Sequence, residues 1–310
     1  MAVLLARTAG RLYWGARYIE RAEDTARVVR AYNDLVVDYP SQDLLHWGPL
    51  AAIHGSADRI EFREDDPSAE RTVLHLLIDD RSNPSSICSS IAAARENLRT
   101  TREVMPREAW QAVNQLSQYA DATAAAAVER QLRDRFLLRV IEVSRRLDGV
   151  LESTMSRGRS YRMLRLGRLI ERADMTTRVL GVAAAGILEA ERSDTDVVHE
   201  QVRWMSVLRS VSALQMYQRS EYGPINGVDV VRFLLYWNSF PRSVQGCFDE
   251  MRSVINTLPR PADVLPSLDA AEAVLRNADP RSADAETLDR AMDRVQVAIG
   301  GIGAAIRATY

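Results

Sequence analysis

Lysine is missing from this chain: apart from four histidines, every basic side chain is an arginine. That absence excludes Schiff-base chemistry, a lysine general base and a phosphate-loop lysine. The glycine cluster at 300–303 is therefore not read as a phosphate loop, and no strand pattern precedes it. A GC-rich genome, which favours arginine codons, would account for the arginine bias by itself. Cysteine is scarce: Cys88 and Cys247 stand far apart, in no metal or redox spacing. Net charge is only -2, so no basic excess draws in nucleic acid by counterion release. No apolar run approaches a membrane span. The opening "MAVLLARTAGRLYW" shows no small-residue cleavage site. The expectation is a cytoplasmic chain with neither membrane nor nucleic acid as partner. Strand patterning is almost absent too, since alternation never lasts and β-branched runs are short.

What the chain does have is helical periodicity. Helices are expected over about 9–38, stopped near Pro40, and over 44–52. Another is expected within 63–78, with Pro67 in its first turn. The next starts behind Ser82 or Asn83 with Pro84 just inside and ends before Pro106. Further helices are expected over 107–127, 129–157, 160–191, 197–220, 227–238 and 241–258. "LPRPADVLPS" is the clearest connector, followed by helices over 268–278 and 284–308, broken at Asp279-Pro280. No low-complexity linker divides the chain. The expected architecture is an all-α multi-helix bundle, one domain over 1–310, ending in a helical pair at about 264–308.

The strongest organising signal is an internal repeat. "RYIERAEDTARVV" (17–29) and "RLIERADMTTRVL" (168–180) share Arg, Ile, Glu, Arg, Ala, Thr, Arg and Val in register, and 151 positions separate Glu20 from Glu171. That period is too long for a solenoid unit. It suggests a pseudo-twofold arrangement of two halves, about 4–157 and 158–258. At about 100° per residue, Gly15, Tyr18, Ile19, Ala22, Ala26 and Val29 share one face of the first copy, small enough at its centre for close helix approach. Arg17, Glu20, Asp24 and Arg27 lie opposite, with Arg21 and Glu23 at the borders. Arg17–Glu20 and Asp24–Arg27 have the spacing to pair within the helix. In the second copy Leu164 and Met175 interleave with Arg168, Glu171 and Arg178, a mixture that a wet face seldom carries. Both faces are therefore expected to be covered, with the charges in a sheltered seam that suits planar, bidentate arginine.

Two readings of the seam stay open. The helices cross and their Glu and Arg groups pair reciprocally, fixing register. Alternatively the seam lines a cleft for an anionic or peptide-like ligand, with Glu20 and Glu171 accepting an amine or acting as acid and base. Its candidate residues are Arg17, Glu20, Arg21, Arg27, Arg168, Glu171, Arg172 and Arg178. Arg95, Glu96 and Arg99 share one side of another helix, read as an amphipathic surface or an anion site. Arg242, in "FPRSV", stands at a helix start, where it could reach another helix's C-terminal carbonyls. Trp110, Trp204, Tyr217 and Trp237 read as packing residues. His46, His54, His75 and His199 show no ligand spacing, and Glu-x-x-His pairs are missing, so no metal is expected. Serine nucleophile motifs are absent as well. Catalytic residues cannot be named from these patterns.

Four segments together resemble the alpha-E proteins, a bacterial all-helical family with a recurring Glu-Arg signature. They are "LLARTAGRLYWGARYIERAEDTARVV", "CSSIAAARENLRTTREVM", "LGRLIERADMTTRVL" and "FLLYWNSFPRSV". The signature falls on Glu20-Arg21 and Glu171-Arg172, and an Arg-Glu-Asn motif on Arg95, Glu96 and Asn97. One departure is Gly15-Ala16, where the family pattern has an apolar residue and then glycine. The resemblance implies genetic company: a circularly permuted ATP-grasp protein, a transglutaminase-like protein and sometimes a proteasome-like peptidase. That setting suggests ATP-dependent peptide or amide bond formation, with ATP and Mg²⁺ on the ATP-grasp partner and no cofactor in this chain. It implies a non-catalytic partner or substrate-presenting subunit that binds a peptide ligand. The alternative is an enzyme of peptide or amide bond chemistry with a central Glu/Arg cleft.

Overall fold

The computed structural model describes residues 5–38, 47–59, 66, 68–191, 197–278 and 285–310, with backbone only at 57, 183–191, 197–199 and 285. Pro40, Pro67, His46 and the Asp279-Pro280 break lie outside these residues, as does the side chain of His199. Among the described residues there are thirteen α-helices and no strand. Two of them form the axis of the molecule, α1 (Ala6–Asp38) and α7 (Arg159–Glu191), each of 33 residues. At 1.5 Å per residue each is roughly 50 Å long.

The remaining helices wrap this pair. They are α2 (Gly48–Ile53), α3 (Ala69–Ile78), α4 (Ile87–Arg99), α5 (Arg107–Thr123), α6 (Arg130–Thr154), α8 (Val197–Ser210), α9 (Leu214–Gln218), α10 (Gly227–Tyr236), α11 (Val244–Ile255), α12 (Leu265–Arg276) and α13 (Ala285–Thr309). α1 packs on α7, α4, α8 and α6, while α7 takes α13, α11 and α2 on its other sides. The C-terminal helices α12 and α13 pack on each other, and α13 also runs against α7. Surrounded in this way, the middle of each central helix has no wet face. Residues 22–29 and 166–173 are buried without a break. This is the covering expected from the apolar residues interleaved with charge, because a helix buried all round must place its polar residues inside too.

Close approach of the two axes depends on small residues. A Cβ built on Gly167 would stand 2.2 Å from the Tyr13 carbonyl oxygen, a backbone atom with nowhere to retreat. On the other side of α1, a Cβ on Gly15 would meet Leu98 of α4 at 2.7 Å. The tryptophans and tyrosine read as packing residues do pack, with Trp204 and Tyr217 fully buried and Trp110 and Trp237 half-buried against the core.

Several boundaries shift by a few residues from expectation, and two of the shifts have a clear local cause. The N-cap of α4 is Ser86, whose hydroxyl accepts from the Ser89 N–H at 3.1 Å; Pro84 precedes the helix and Ser82 and Asn83 belong to the turn. The helix expected over 197–220 breaks after Ser210. Ser212 takes the left-handed conformation (φ 55), the Ala213 N–H reaches the Leu208 carbonyl and the Ser212 N–H that of Arg209. These are the two bonds of a helix-ending motif usually marked by glycine or asparagine. No helix among the described residues is long and apolar enough to cross a membrane.

Candidate functional site: a reciprocal Glu-Arg seam

Glu20 and Glu171 sit where α1 and α7 cross, 1% and 2% exposed. Each accepts from arginines of the other helix. Arg172 meets Glu20 as a fork, Nε to Oε1 at 2.9 Å and an Nη to Oε2 at 3.2 Å, and Arg168 adds an Nε bond at 3.2 Å. In return Arg17 and Arg21 donate their Nε groups to the two oxygens of Glu171, at 2.7 and 2.5 Å. The four arginines hold equivalent positions in the two sequence copies, so the exchange is reciprocal residue by residue. Thr25 and Thr176 are equivalent as well; their hydroxyls donate to the Arg21 carbonyl (2.8 Å) and the Arg172 carbonyl (3.0 Å).

Around this shared centre the two ends differ. The Glu20 end is closed by Arg242, held just ahead of α11. Ser243 caps that helix by accepting from the Gly246 N–H at 3.0 Å, which aims the preceding residue back at α1. Arg242 lies 2.8 Å from Glu20, 2.6 Å from Asp24 and 3.8 Å from Glu23. Asp148 of α6 takes a further bond from Arg168. The Glu171 end lies nearer the surface. Arg17 stacks on Trp14 at 4.8 Å and Arg21 on Tyr18 at 5.6 Å. Asp174 accepts from Arg178 at 2.8 Å, and His54 of the α2 C-terminus sits 3.5 Å from the Thr25 hydroxyl.

The electrostatics follow from burial against pairing. Burial pushes Glu20 up, but Arg172, Arg242 and Arg168 overcome it and hold the carboxyl well below its ordinary range. Glu171 is likewise lowered, with Arg21 and Arg17 prevailing over burial. Asp24 is the opposite case: burial, seconded by Glu20, outweighs Arg242 and pushes it up to about 7. Burial first, then Arg242 and Arg145, brings Arg27 down to about 8. His54 is lowered to about 3 by burial and the nearby Arg178 and Arg21, and so is neutral.

Several sequence expectations are corrected. Arg17 does not pair with Glu20, nor Asp24 with Arg27. Arg17 reaches Glu171, Arg27 turns back to Glu23, and Asp24 pairs with Arg242. For Arg17 a partner across the helix crossing displaces the local one because both helices are buried there, while Arg27 keeps a local partner and that of Asp24 comes from the turn before α11. Arg242 binds carboxylates rather than carbonyls. Arg95, Glu96 and Arg99 do not join the seam. Arg95 donates to Asn114 at 2.9 Å and lies over Trp110, while Glu96 and Arg99 form an exposed pair. Sequence reasoning missed Glu23, Asp24, Asp148 and Asp174 as seam members. Glu23 and Asp24 carried a signal, since Asp24 lies on the charged face of α1 and Glu23 at its border, whereas Asp148 carried none.

Glu20, Glu23 and Asp148 bring carboxylate oxygens within 4.8 Å of one another, a spacing that a cation would also favour. Arginines already engage all three: Glu23 accepts from Arg27 and Asp148 from Arg168. Glu23 Oε2 and Asp24 Oδ2 are buried with no hydrogen-bond partner among the described residues. Beside the seam, a cavity of about 520 Å³ opens between α1, α6, α8 and α9. Arg27, Arg30, Arg145 and Arg209 line it against Asp34 alone among carboxylates.

The Alpha-E family model, described as a predicted alpha-helical domain with a conserved ER motif, matches residues 4–310. No curated protein matches this chain, and no solved structure does. The chain carries five Glu-Arg pairs; two of them, Glu20-Arg21 and Glu171-Arg172, supply carboxylates and guanidiniums exchanged at the crossing.

Proposed function

The chain belongs to the Alpha-E family, and from that premise we propose a non-catalytic helical subunit that docks on an ATP-grasp peptide or amide ligase and presents its substrate. The observation that supports this reading is the pairing of the two central glutamates. Both oxygens of Glu20 and both of Glu171 accept guanidinium N–H groups, so neither glutamate presents an unpaired oxygen to a reacting group. The recess beside Asp148, Arg165 and Arg168 has a volume of only about 10 Å³, roughly that of one water. A site of this kind orders helices rather than turns over a substrate. Nucleotide and Mg²⁺ then belong to the partner, and the cytoplasm is the setting that such a partner requires.

Co-purification with a neighbouring ATP-grasp protein, and assay of that protein's amide-forming activity with and without this chain, tests the reading. Complex formation and a change in activity are expected. Independent behaviour in both assays removes it. The enzymatic alternative rests on the unpartnered Glu23 and Asp24 oxygens beside Glu20. It requires amide-bond turnover by the chain alone, abolished by Asp24→Asn.

A further inference from the structure

The cavity between α1, α6, α8 and α9 joins two chemistries. Its inner wall is cationic. Arg27 is 6% exposed and donates its Nη groups to Glu23 and to the Ser212 hydroxyl, which leaves its Nε buried with no partner among the described residues. Arg145 reaches the same Ser212 oxygen at 3.4 Å and Glu23 at 3.8 Å, long contacts for a side chain that is 58% exposed. Such an arginine keeps donors to offer. The left-handed turn at Ser212 (φ 55) carries the hydroxyl between the two guanidiniums. The outer wall is apolar, built from Ile141, Leu138 and Met216, with Leu138 36% and Met216 41% exposed. At about 520 Å³ the space falls within the roughly 300–1,000 Å³ of small-ligand pockets.

We infer that this cavity binds a carboxylate carried next to an apolar side chain, as at the C-terminus of a peptide ending in an aliphatic residue. The carboxylate lies on the exposed guanidinium of Arg145, beside Arg27 and the Ser212 hydroxyl, where a planar guanidinium gives paired, charge-assisted bonds. The aliphatic group lies along Leu138, Ile141 and Met216. Arg27 is depressed first by burial and then by its cationic neighbours Arg242 and Arg145, and a bound anion relieves the latter. A phosphate dianion has no use for the apolar wall. The inference stands apart from the docking role, because binding is measured on this chain alone.

Isothermal titration calorimetry on the full chain tests it, with the tripeptide Ala-Ala-Leu, N-acetyl-leucine, the C-terminal amide of each, and inorganic phosphate as probes. Both carboxylates are expected to bind, and the amides at least about tenfold more weakly, as loss of a charge-assisted hydrogen bond predicts. Stronger binding of the tripeptide identifies a peptide end as the source, and equal binding a free acid. Arg145→Gln and Leu138→Asp, both at exposed positions, should each weaken binding by roughly tenfold or more while leaving the thermal unfolding midpoint near that of the parent. Amides that bind as well as acids, phosphate that binds as tightly as Ala-Ala-Leu, no detectable binding, or unchanged affinity in Arg145→Gln would overturn the inference.

Discussion

The two ends of the seam carry the same motif in different surroundings. Around Glu20 three arginines converge, none more than 10% exposed, and α11 and α6 close the site. Around Glu171 two arginines converge, 13% and 20% exposed, with aromatic rings as cover. The same Glu-Arg pair is therefore a dry anchor at one end and a half-shielded clasp at the other. A buried charge left without its partner is costly, while a half-exposed one can turn to water. The contrast predicts unequal losses from equivalent substitutions.

The largest loss is expected for Glu20→Gln, which leaves Arg168, Arg172 and Arg242 facing one another. Urea unfolding should show it about 3–5 kcal/mol less stable. Glu171→Gln should cost clearly less, on the order of 1–3 kcal/mol, because Arg17 and Arg21 can reach solvent. Equal losses at the two ends would abolish the distinction drawn between them.

Next comes the crossing itself. Gly167→Ala drives a methyl into the Tyr13 backbone and should cost on the order of 1–3 kcal/mol. Gly10→Ala, where a Cβ meets nothing within 4 Å, should be neutral or stabilise by up to about 1 kcal/mol. Thermal unfolding of the two variants side by side checks this.

The ends also differ in their response to pH. Asp24, at the Glu20 end, has a folded pKa of about 7 against an ordinary 3.8. Between these values the folded state holds a proton that the unfolded chain has lost, so its contribution to stability falls as pH rises. His54, near the Glu171 end, is lowered to about 3 from 6.5. There the unfolded chain holds the extra proton, so the contribution is full above pH 6.5 and falls as pH drops. Across the shared window the two slopes oppose each other, and each is at most about 1.4 kcal/mol per pH unit. Asp24→Asn should expose a stability that falls toward acid, and His54→Gln one that falls toward neutral pH, in urea midpoints from pH 4.5 to 6.5. The smallest effect is expected at the surface. Replacing Glu96 and Arg99 together with alanine should stay within about 0.5 kcal/mol.

Much of this was legible before any coordinates. The helical class, the repeated signature and the sheltered seam could be read from the apolar residues interleaved with charge in 164–178. Individual partners could not. Helical spacing offered Arg17 to Glu20, but burial gave the advantage to a partner on the crossing helix. Asp148 and Arg242 arrive from α6 and from the turn before α11, and no periodicity within α1 or α7 announces them. The helix end at Ser212 was equally silent, because serine there does the work that glycine usually signals.

A double-mutant cycle on Glu20 and Arg172, followed by urea unfolding of Glu20→Gln, Arg172→Met and the pair, tests the reciprocal seam most directly. A coupling energy of at least about 1.5 kcal/mol is expected. Single losses that add to within about 0.5 kcal/mol would contradict it.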